Sequence, residues 1–593
     1  MIKLTSRIVV LTCAISAAFA QTDSSTTSID TAEIPSPGME ELLEQSAGLD
    51  GSSILDYLRE SRSFSSGVIE FRSGTQVTQR LQPSAGYANG SYEGSRIKIR
   101  QRATIKSAHL SCGVLMAKDA GERAANAFVT GYVLYRGDGF LRQVTAGDYR
   151  LESGQGVAMW KGRDFSKGGN ILTPALRNSR GIVSSLSADE SSYLRGAALE
   201  ASVSGIDATI FISARSYAAN VDSDQNVSAL YGSGYYRTVN EVQKRGALAE
   251  KLLGTSISAA ISSSHHVGFT FYRADFSAPL SLGGGVRFSG TGYTLAAIDY
   301  DGLYRGVSVF AEGVMAGKTF AGIGGVALLP SGGFSLAIVA RAYPPSFYSA
   351  HGSGFGDRSD NFNEYGMYLG MQAVFGRITF SGYVDHTLVP MQEVIHFPSA
   401  GNELYGGARV KVTEDVTAEL QYRRSSKASQ PSLEEGSDVE GIDGRTRLQR
   451  LRLQWECRFA PGGELRIRCE RSIFQDPSLT SPDKGLLVYG DFAMRLSRIV
   501  WGNLRLVLFK TDSYASRIAE YERDLGGVAA IPSLHGSGIR WYLMLRFTPL
   551  RHVRLNLKYA DLIRDDVRSI GAGLEALTTN HDDRLSGEIE ITF

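Results

Sequence analysis

The chain has 593 residues, 62 Lys plus Arg against 61 Asp plus Glu, and a formal charge of +1. That balance excludes a general polyanion binder, which would carry a strong basic excess. With 66 Gly, 27 Tyr, 26 Phe and a mean hydropathy of −0.11, the composition points to β structure and hides any membrane strands from a hydropathy scan.

Residues 1–20 have the layout of a secretory signal peptide: Lys3 and Arg7, a short apolar core, then Ala18-Phe19-Ala20 before Gln21. The core is too short for a transmembrane helix, and no later apolar run approaches spanning length. Val10-Leu11-Thr12 makes a poor lipobox for Cys13. Residues 21–38 are Ser/Thr/Pro-rich and read as a disordered linker. Residues 39–66 read as a short periplasmic helical segment, with two helices around Gly48-Leu49-Asp50-Gly51.

From Gly67 to Phe593 the pattern is strand after strand, apolar on one face and polar on the other. The clearest segments are 96–106, 209–216, 293–300, 334–342, 416–423, 448–459, 465–473, 504–509, 539–547 and 553–562. Short turns alternate with long loops at roughly 78–94, 150–190, 218–249, 343–362, 425–445, 512–537 and 564–581. The sequence therefore predicts an all-β fold, a large transmembrane antiparallel β-barrel of about 24 strands (between about 22 and 26), with short turns in the periplasm and long loops outside. A ring of that size is roughly 45–50 Å across, too wide for side chains to fill. Too few residues precede Gly67 for a folded N-terminal plug, so inward-folded loops must close the lumen if it is closed.

The last strand states the pattern most plainly. Leu585, Gly587, Ile589, Ile591 and Phe593 alternate with Arg584, Ser586, Glu588, Glu590 and Thr592. A terminal aromatic on such a strand resembles the insertion signal of outer-membrane barrels, which makes Phe593 the candidate contact for the barrel-assembly machinery. Outer-membrane lipid is the other expected partner, and the expected location is the cell outer membrane. Cys112, Cys457 and Cys469 fall on the apolar face and serve as small hydrophobes. Cys457 and Cys469 come out diagonal to one another across their hairpin.

The candidate site is a basic lumenal lining. Arg96, Lys98, Arg100, Arg102 and Lys106 share one face of a strand. Arg450 and Arg452 are expected to face Arg466 and Arg468 across the turn at Pro461, with Glu456, Glu464 and Glu470 nearby. Arg409, Lys411, Arg423, Arg540, Arg546, Arg554 and Lys558 continue the pattern. Such a lining either attracts anions or is an Arg/Glu ladder that stiffens a polar interior, and the neutral net charge favours the ladder. Asp148, Arg150, Glu152 and Gln155, beside Gly154 and Gly156, suggest a strand-to-loop corner satisfied by hydrogen bonds. Thr238-Val239-Asn240-Glu241 is a capping box. It predicts a loop helix running to about Lys251, with Val242, Ala249, Leu252 and Leu253 as its apolar stripe and Thr238 and Glu241 marking a candidate gate.

Several blocks resemble a family of outer-membrane barrels from Bacteroidota and neighbouring phyla, usually labelled helix-hairpin-helix-domain-containing proteins. They are KDAGE (118–122), GDYRLESGQGVAMW (147–160), YLRGAALEA (193–201), YYRTVNEVQKRGALAEKLLG (235–254), NEYGMYLGMQ (363–372), TDSYASRIAEYERDL (511–525) and IGAGLEAL (570–577). The resemblance implies an outer-membrane barrel and brings no established activity. The helix-hairpin-helix itself is degenerate: Glu40-Glu41-Leu42-Leu43 begins well, but Ser46-Ala47-Gly48-Leu49-Asp50 replaces the glycine hairpin. Asp50 then stands where a phosphate would be gripped, which disfavours nucleic acid.

No metal or cofactor site is expected from the residue spacings, and no enzymatic activity. His386 beside Asp385, and His581 before Asp582 and Asp583, have no identifiable nucleophile, and Ser533–Ser537 lacks the strand–turn–helix setting of a nucleophile elbow. The expected function is a transport or channel protein with a loop-occluded lumen and unknown solute. The alternative is a non-transporting surface binding or assembly protein, with nucleic-acid handling through the helix-hairpin-helix remnant as its narrowest form.

Overall fold

The computed structural model describes residues 69–593 except 124–127, 162–166, 191, 283–286, 358–359, 392–398, 429–443 and 460–461. The signal peptide, the linker, the helical segment within 39–66 and the turn at Pro461 lie outside the described residues.

Alternation builds the wall. In strand Val500–Thr511, Leu504, Leu506 and Leu508 stand about half exposed on the outside, while Asn503, Arg505, Val507 and Phe509 are buried inside. Repeated around the sheet, this gives an apolar belt outside and a polar lining within, the arrangement a membrane barrel requires. The sheet has 27 strands, and three short ones (Gly181–Ser184, Ala219–Val221 and Val227–Leu230) belong to the connections. The remaining 24 form one closed antiparallel ring, as the sequence predicts. The ring closes where the first strand, Glu70–Arg80, pairs with the last, His581–Thr592, from Arg72 opposite Thr592 to Arg80 opposite Arg584. At the seam Phe71 and Phe593 exchange backbone hydrogen bonds of 2.9 and 2.8 Å, and the Phe593 ring stacks on His552 at 5.1 Å. Among the described residues each ring strand pairs on both sides, so the ladders satisfy most of the ring's backbone groups without water. This closed, belted ring is an outer-membrane barrel.

The connections sort by length onto two ends. Ser204-Gly205 and Arg305-Gly306 are two-residue turns with positive φ at both positions (50° and 84° in each), the geometry that continues strand twist through a tight hairpin. They lie at the periplasmic end with the chain's other short turns. The long connections gather at the extracellular end, where 317–318 is the short exception. Around this region strands Leu248–Ser262, His265–Leu282 and Phe288–Tyr304 have 15, 18 and 17 residues, more than the roughly 9–11 needed to cross a bilayer, so the wall continues past the membrane.

Two expectations need correction. The loop helix covers only Val239–Lys244, because Leu248–Ser262 is drawn into the ring by pairing with strand Ile206–Tyr217. Of the supposed stripe, Leu252 is buried in the lumen and Leu253 is exposed on the outer face, as period 2 dictates. The capping box itself is present: Thr238 accepts from the Glu241 amide, and the Glu241 side chain accepts from the Thr238 amide. Second, Arg450 and Arg452 do not face Arg466 and Arg468. Their partners are Ser472 and Glu470, while Arg466 and Arg468 face Glu456 and Gln454. This register avoids like charges directly opposite each other. It also puts Cys469 opposite Leu453 and Cys457 opposite Leu465, so the two cysteines are four register positions apart, farther than the expected diagonal, and free.

Candidate functional site: a basic passage beside loop-filled lumen

Inward-folded loops occupy much of the lumen. The loop after strand Leu141–Glu152 turns in at Gly154 (φ 54°) and Gly156 (φ 85°). A Cβ at Gly154 would sit 2.9 Å from the Glu312 carboxyl carbon, so only glycine lets the loop approach that closely. Glu312 then accepts three backbone N–H bonds, from Gln155 (2.7 Å), Val157 (2.9 Å) and Ala158 (2.8 Å). Val157, Ala158 and Met159 are fully buried. Around them, Trp160 N–H donates to His351 O at 2.7 Å and Ser353 N–H to Gly156 O at 2.8 Å, tying in the loop 344–363. The corner residues are satisfied as expected, with Asp148 paired to Arg195 at 2.6 Å and Glu152 to Arg180.

A cluster that the sequence reading missed pins this mass to the wall. Arg341, with no exposed side chain, lies between Glu364 and Asp385, and its Nη1 is 2.8 Å from Asp385 Oδ1. Lys167 from the incoming loop adds contacts to Asp385 at 2.7 Å and Asp357 at 3.2 Å. The available signal was a lone acid inside an apolar strand, as Glu312 is in VSVFAEGVMA. Asp385 and His386, adjacent in sequence, stand on opposite faces: Asp385 is buried in the lumen and His386 is exposed outside beside Asn402.

The second inward loop, 512–536, descends through the lumen. Ile518 and Leu534 are buried in it and pair across a two-residue ladder. Glu520 meets Arg468 at 2.5 Å, Glu522 meets Arg540 at 2.8 Å, and Asp524 meets Lys558 at 2.8 Å. Arg523 reaches Glu464 at 2.8 Å. Glu464 follows a periplasmic turn, so the loop crosses nearly the full height of the wall. Its Gly526 and Gly527 carbonyls then accept from Gln76 (2.6 Å) and Arg100 (3.3 Å) on the first two strands, just across the seam.

Beside this loop a cavity of about 1520 Å³ remains. Its lining starts at residues 230–236 of an extracellular loop and runs down to Arg72, Arg102 and Thr104 near the periplasmic seam. Lys98, Arg100, Arg546 and Arg554 also line it. Arg96 precedes its strand and donates to Leu81 O at 3.0 Å. Lys98 is paired to Asp119 at 2.5 Å and Arg554 to Glu590 at 3.1 Å. Arg100 and Arg102 have no carboxylate partner among the described residues. The register explains it: Arg102 stands between Gly74 and Leu115, and Arg100 between Gln76 and Ala117. At the extracellular mouth, burial pushes the Glu122 and Glu190 carboxyls above the usual range.

The other half of the expected lining belongs to a ladder. Arg452 pairs with Glu470 at 2.7 Å, Arg466 with Glu464 at 3.0 Å, and Arg468 with Glu520. Arg450 stands beside Arg452 on a pocket of about 60 Å³. Thr238 and Glu241 sit over the mouth: Arg237 bonds Glu241 at 2.9 Å and reaches Glu575 of another extracellular loop.

No family model and no curated protein matches the chain. Solved structures of similar architecture include the siderophore receptor PirA from Acinetobacter baumannii, at 8% identity and TM-score 0.43 over 90% of this chain and 81% of that one. A mutant ferric enterobactin receptor, PfeA from Pseudomonas aeruginosa, in complex with enterobactin aligns at 7% identity and TM-score 0.40 over 90% and 82%. The copper transporter OprC aligns at 7% identity and TM-score 0.41 over 89% and 81%. The ligands named for these neighbours are theirs alone.

Proposed function

We propose that the barrel is an outer-membrane transport protein whose solute path is the off-centre cavity along strand Ile97–Lys106, and that the path prefers small anions. The observation that carries this is the pair Arg100 and Arg102, cations with no carboxylate partner among the described residues on the wall of a cavity whose lining extends toward both ends of the ring. A cation without a fixed counter-charge in a low-dielectric channel attracts mobile anions, whereas a neutralised one does not. The loops 153–193 and 344–363 narrow the ring from one side and 512–536 from another, which is how so wide a barrel is left with a selective gap.

The test is planar-bilayer recording of the folded protein under a salt gradient. Unitary steps with an anion-selective reversal potential are expected, and Arg100→Glu with Arg102→Glu should move the reversal potential toward cations. Electrical silence from protein that migrates as a folded barrel would overturn this reading in favour of a surface binding or assembly protein.

A further inference from the structure

The outer face carries a basic patch that the transport reading does not use. Outward positions at the extracellular ends of five neighbouring strands hold Arg424, Arg445, Arg447, Arg471, Lys484 and Lys510. Each lies within five residues of its strand's extracellular end. Arg447, Arg471, Lys484 and Lys510 are exposed, and none of the six side chains has an ion-pair partner among the described residues, although the Asp512 carboxylate accepts from the Lys484 backbone N–H at 2.8 Å.

The register shows how closely three of them gather. Arg471 faces Leu486, and Leu486 faces Lys510 on its other side. Lys484 lies two residues from Leu486 on the same face, diagonal to both, so neighbouring cations lie about 7–8 Å apart at the backbone. Below them the face turns apolar at once: Leu451 opposite Arg471, then Leu453, Ile467, Val488 and Leu508, all exposed. Cations at an interface commonly extend singly toward water. Here three converge around one leucine against one carboxylate, Asp512, bonded to the Lys484 amide, so the cluster keeps a net positive charge that an added anion relieves.

The adjoining sector lacks this feature. From strand Phe288–Tyr304 to strand Ser399–Lys411, outward strand residues toward the extracellular end include Thr294, Met315, Phe320, Ala342, Tyr365 and Leu388. None of these is charged. The barrel therefore meets the outer leaflet asymmetrically.

We infer that Arg471, Lys484 and Lys510 form a site for the phosphorylated headgroup of a membrane lipid, whose acyl chains lie on Leu486, Val488 and Leu508. A lipid fits where a soluble anion does not, because the cations sit directly above an apolar strip facing the bilayer. The inference is independent of whether the lumen conducts.

The experiment uses the full folded chain in a neutral detergent. Thermal unfolding is followed while a diphosphorylated, multiply acylated disaccharide lipid is titrated in, with the dephosphorylated lipid and inorganic phosphate as parallel arms. The phosphorylated lipid should raise Tm and the other two should not. Arg471→Gln with Lys484→Gln and Lys510→Gln should raise the half-saturating lipid concentration at least roughly tenfold. Because the wild type is tested alone first, a variant that fails to fold does not stall the test: added salt must weaken the wild-type response. An equal response to the dephosphorylated lipid, a response to phosphate alone, or a variant that responds like the wild type would each overturn the site.

Discussion

Two walls of this barrel carry the same alternating basic text and do opposite things. On strand Ile97–Lys106, Arg100 and Arg102 line the cavity with no carboxylate partner among the described residues; on strands Arg445–Phe459, Gly463–Gln475 and Val500–Thr511, the inward Arg452, Arg466, Arg468 and Arg505 are held in ion pairs. The difference lies in the cross-strand neighbours and, for Arg468 between Gln454 and Tyr489, in Glu520 of the inward loop. Arg102 has Gly74 and Leu115 beside it, whereas Arg466 has Glu456 and Asp491, and Arg505 has Asp491 and Tyr542. Periodicity tells which way a side chain points, and register tells what it meets. An arginine is available to a solute only when both its neighbours are neutral.

The largest test of that contrast is to delete one arginine from each wall. Arg505 is about 1% exposed, with its Nε 2.6 Å from an equally buried Asp491, and Tyr542 donates to that same carboxylate at 3.1 Å. Arg505→Ala strands the Asp491 charge, and breaking a buried pair costs about 3–5 kcal/mol. Arg102→Ala removes no partner and should stay within about 0.5 kcal/mol. Denaturant midpoints of the heat-modifiable band measure both; equal losses would erase the distinction between the walls.

A second test concerns the loop 512–536, which is anchored unequally. On the ladder side it has charged anchors at Glu520, Glu522, Arg523 and Asp524; on the open side it has backbone contacts at Gly526 and Gly527. Glu520→Gln with Glu522→Gln weakens the ladder side, so the loop should fluctuate out of the lumen. Single-channel conductance is expected to rise severalfold with added noise. Unchanged conductance would mean that the backbone contacts alone hold the loop.

The ring, its strand number and the orientation of most side chains were legible in the sequence because period 2 is written directly into residues such as Leu504 to Phe509. The division of labour among the arginines was not legible. A strand's register is set by partners far away in the chain, and Arg452 meets Glu470 rather than Arg468 through an offset that alternation does not encode. Ala249, Leu252 and Leu253 fit a helical stripe in isolation; pairing with strand Ile206–Tyr217 makes them a strand. The loop interior was hidden for the same reason. A lone acid in an apolar strand marks Glu312 as unusual, but nothing local names the three amides that arrive from residues about 155 positions earlier.

The smallest effect belongs to the mouth above the open wall. Glu575 accepts from Tyr92 Oη at 2.6 Å, meets Arg80 at 3.1 Å and is reached by Arg237, joining three extracellular connections. Burial opposes its ionisation, but the Tyr92 hydroxyl and the guanidiniums of Arg237 and Arg80 outweigh that and hold the carboxyl below the usual glutamate range. A depressed carboxyl contributes its stabilisation above its unfolded value and loses it as pH falls through the folded one. The latch should therefore hold at neutral pH and loosen only below about pH 4. Protease nicking of the loop 565–580 should rise over that acidic window in the wild type. Glu575→Gln should nick faster at neutral pH and show little further change on acidification, because it has already lost the charge that Arg237 and Arg80 hold. Arg100→Ala, deeper on the same wall, should leave the nicking profile unchanged, and a shift there would show that mouth and passage are mechanically one unit.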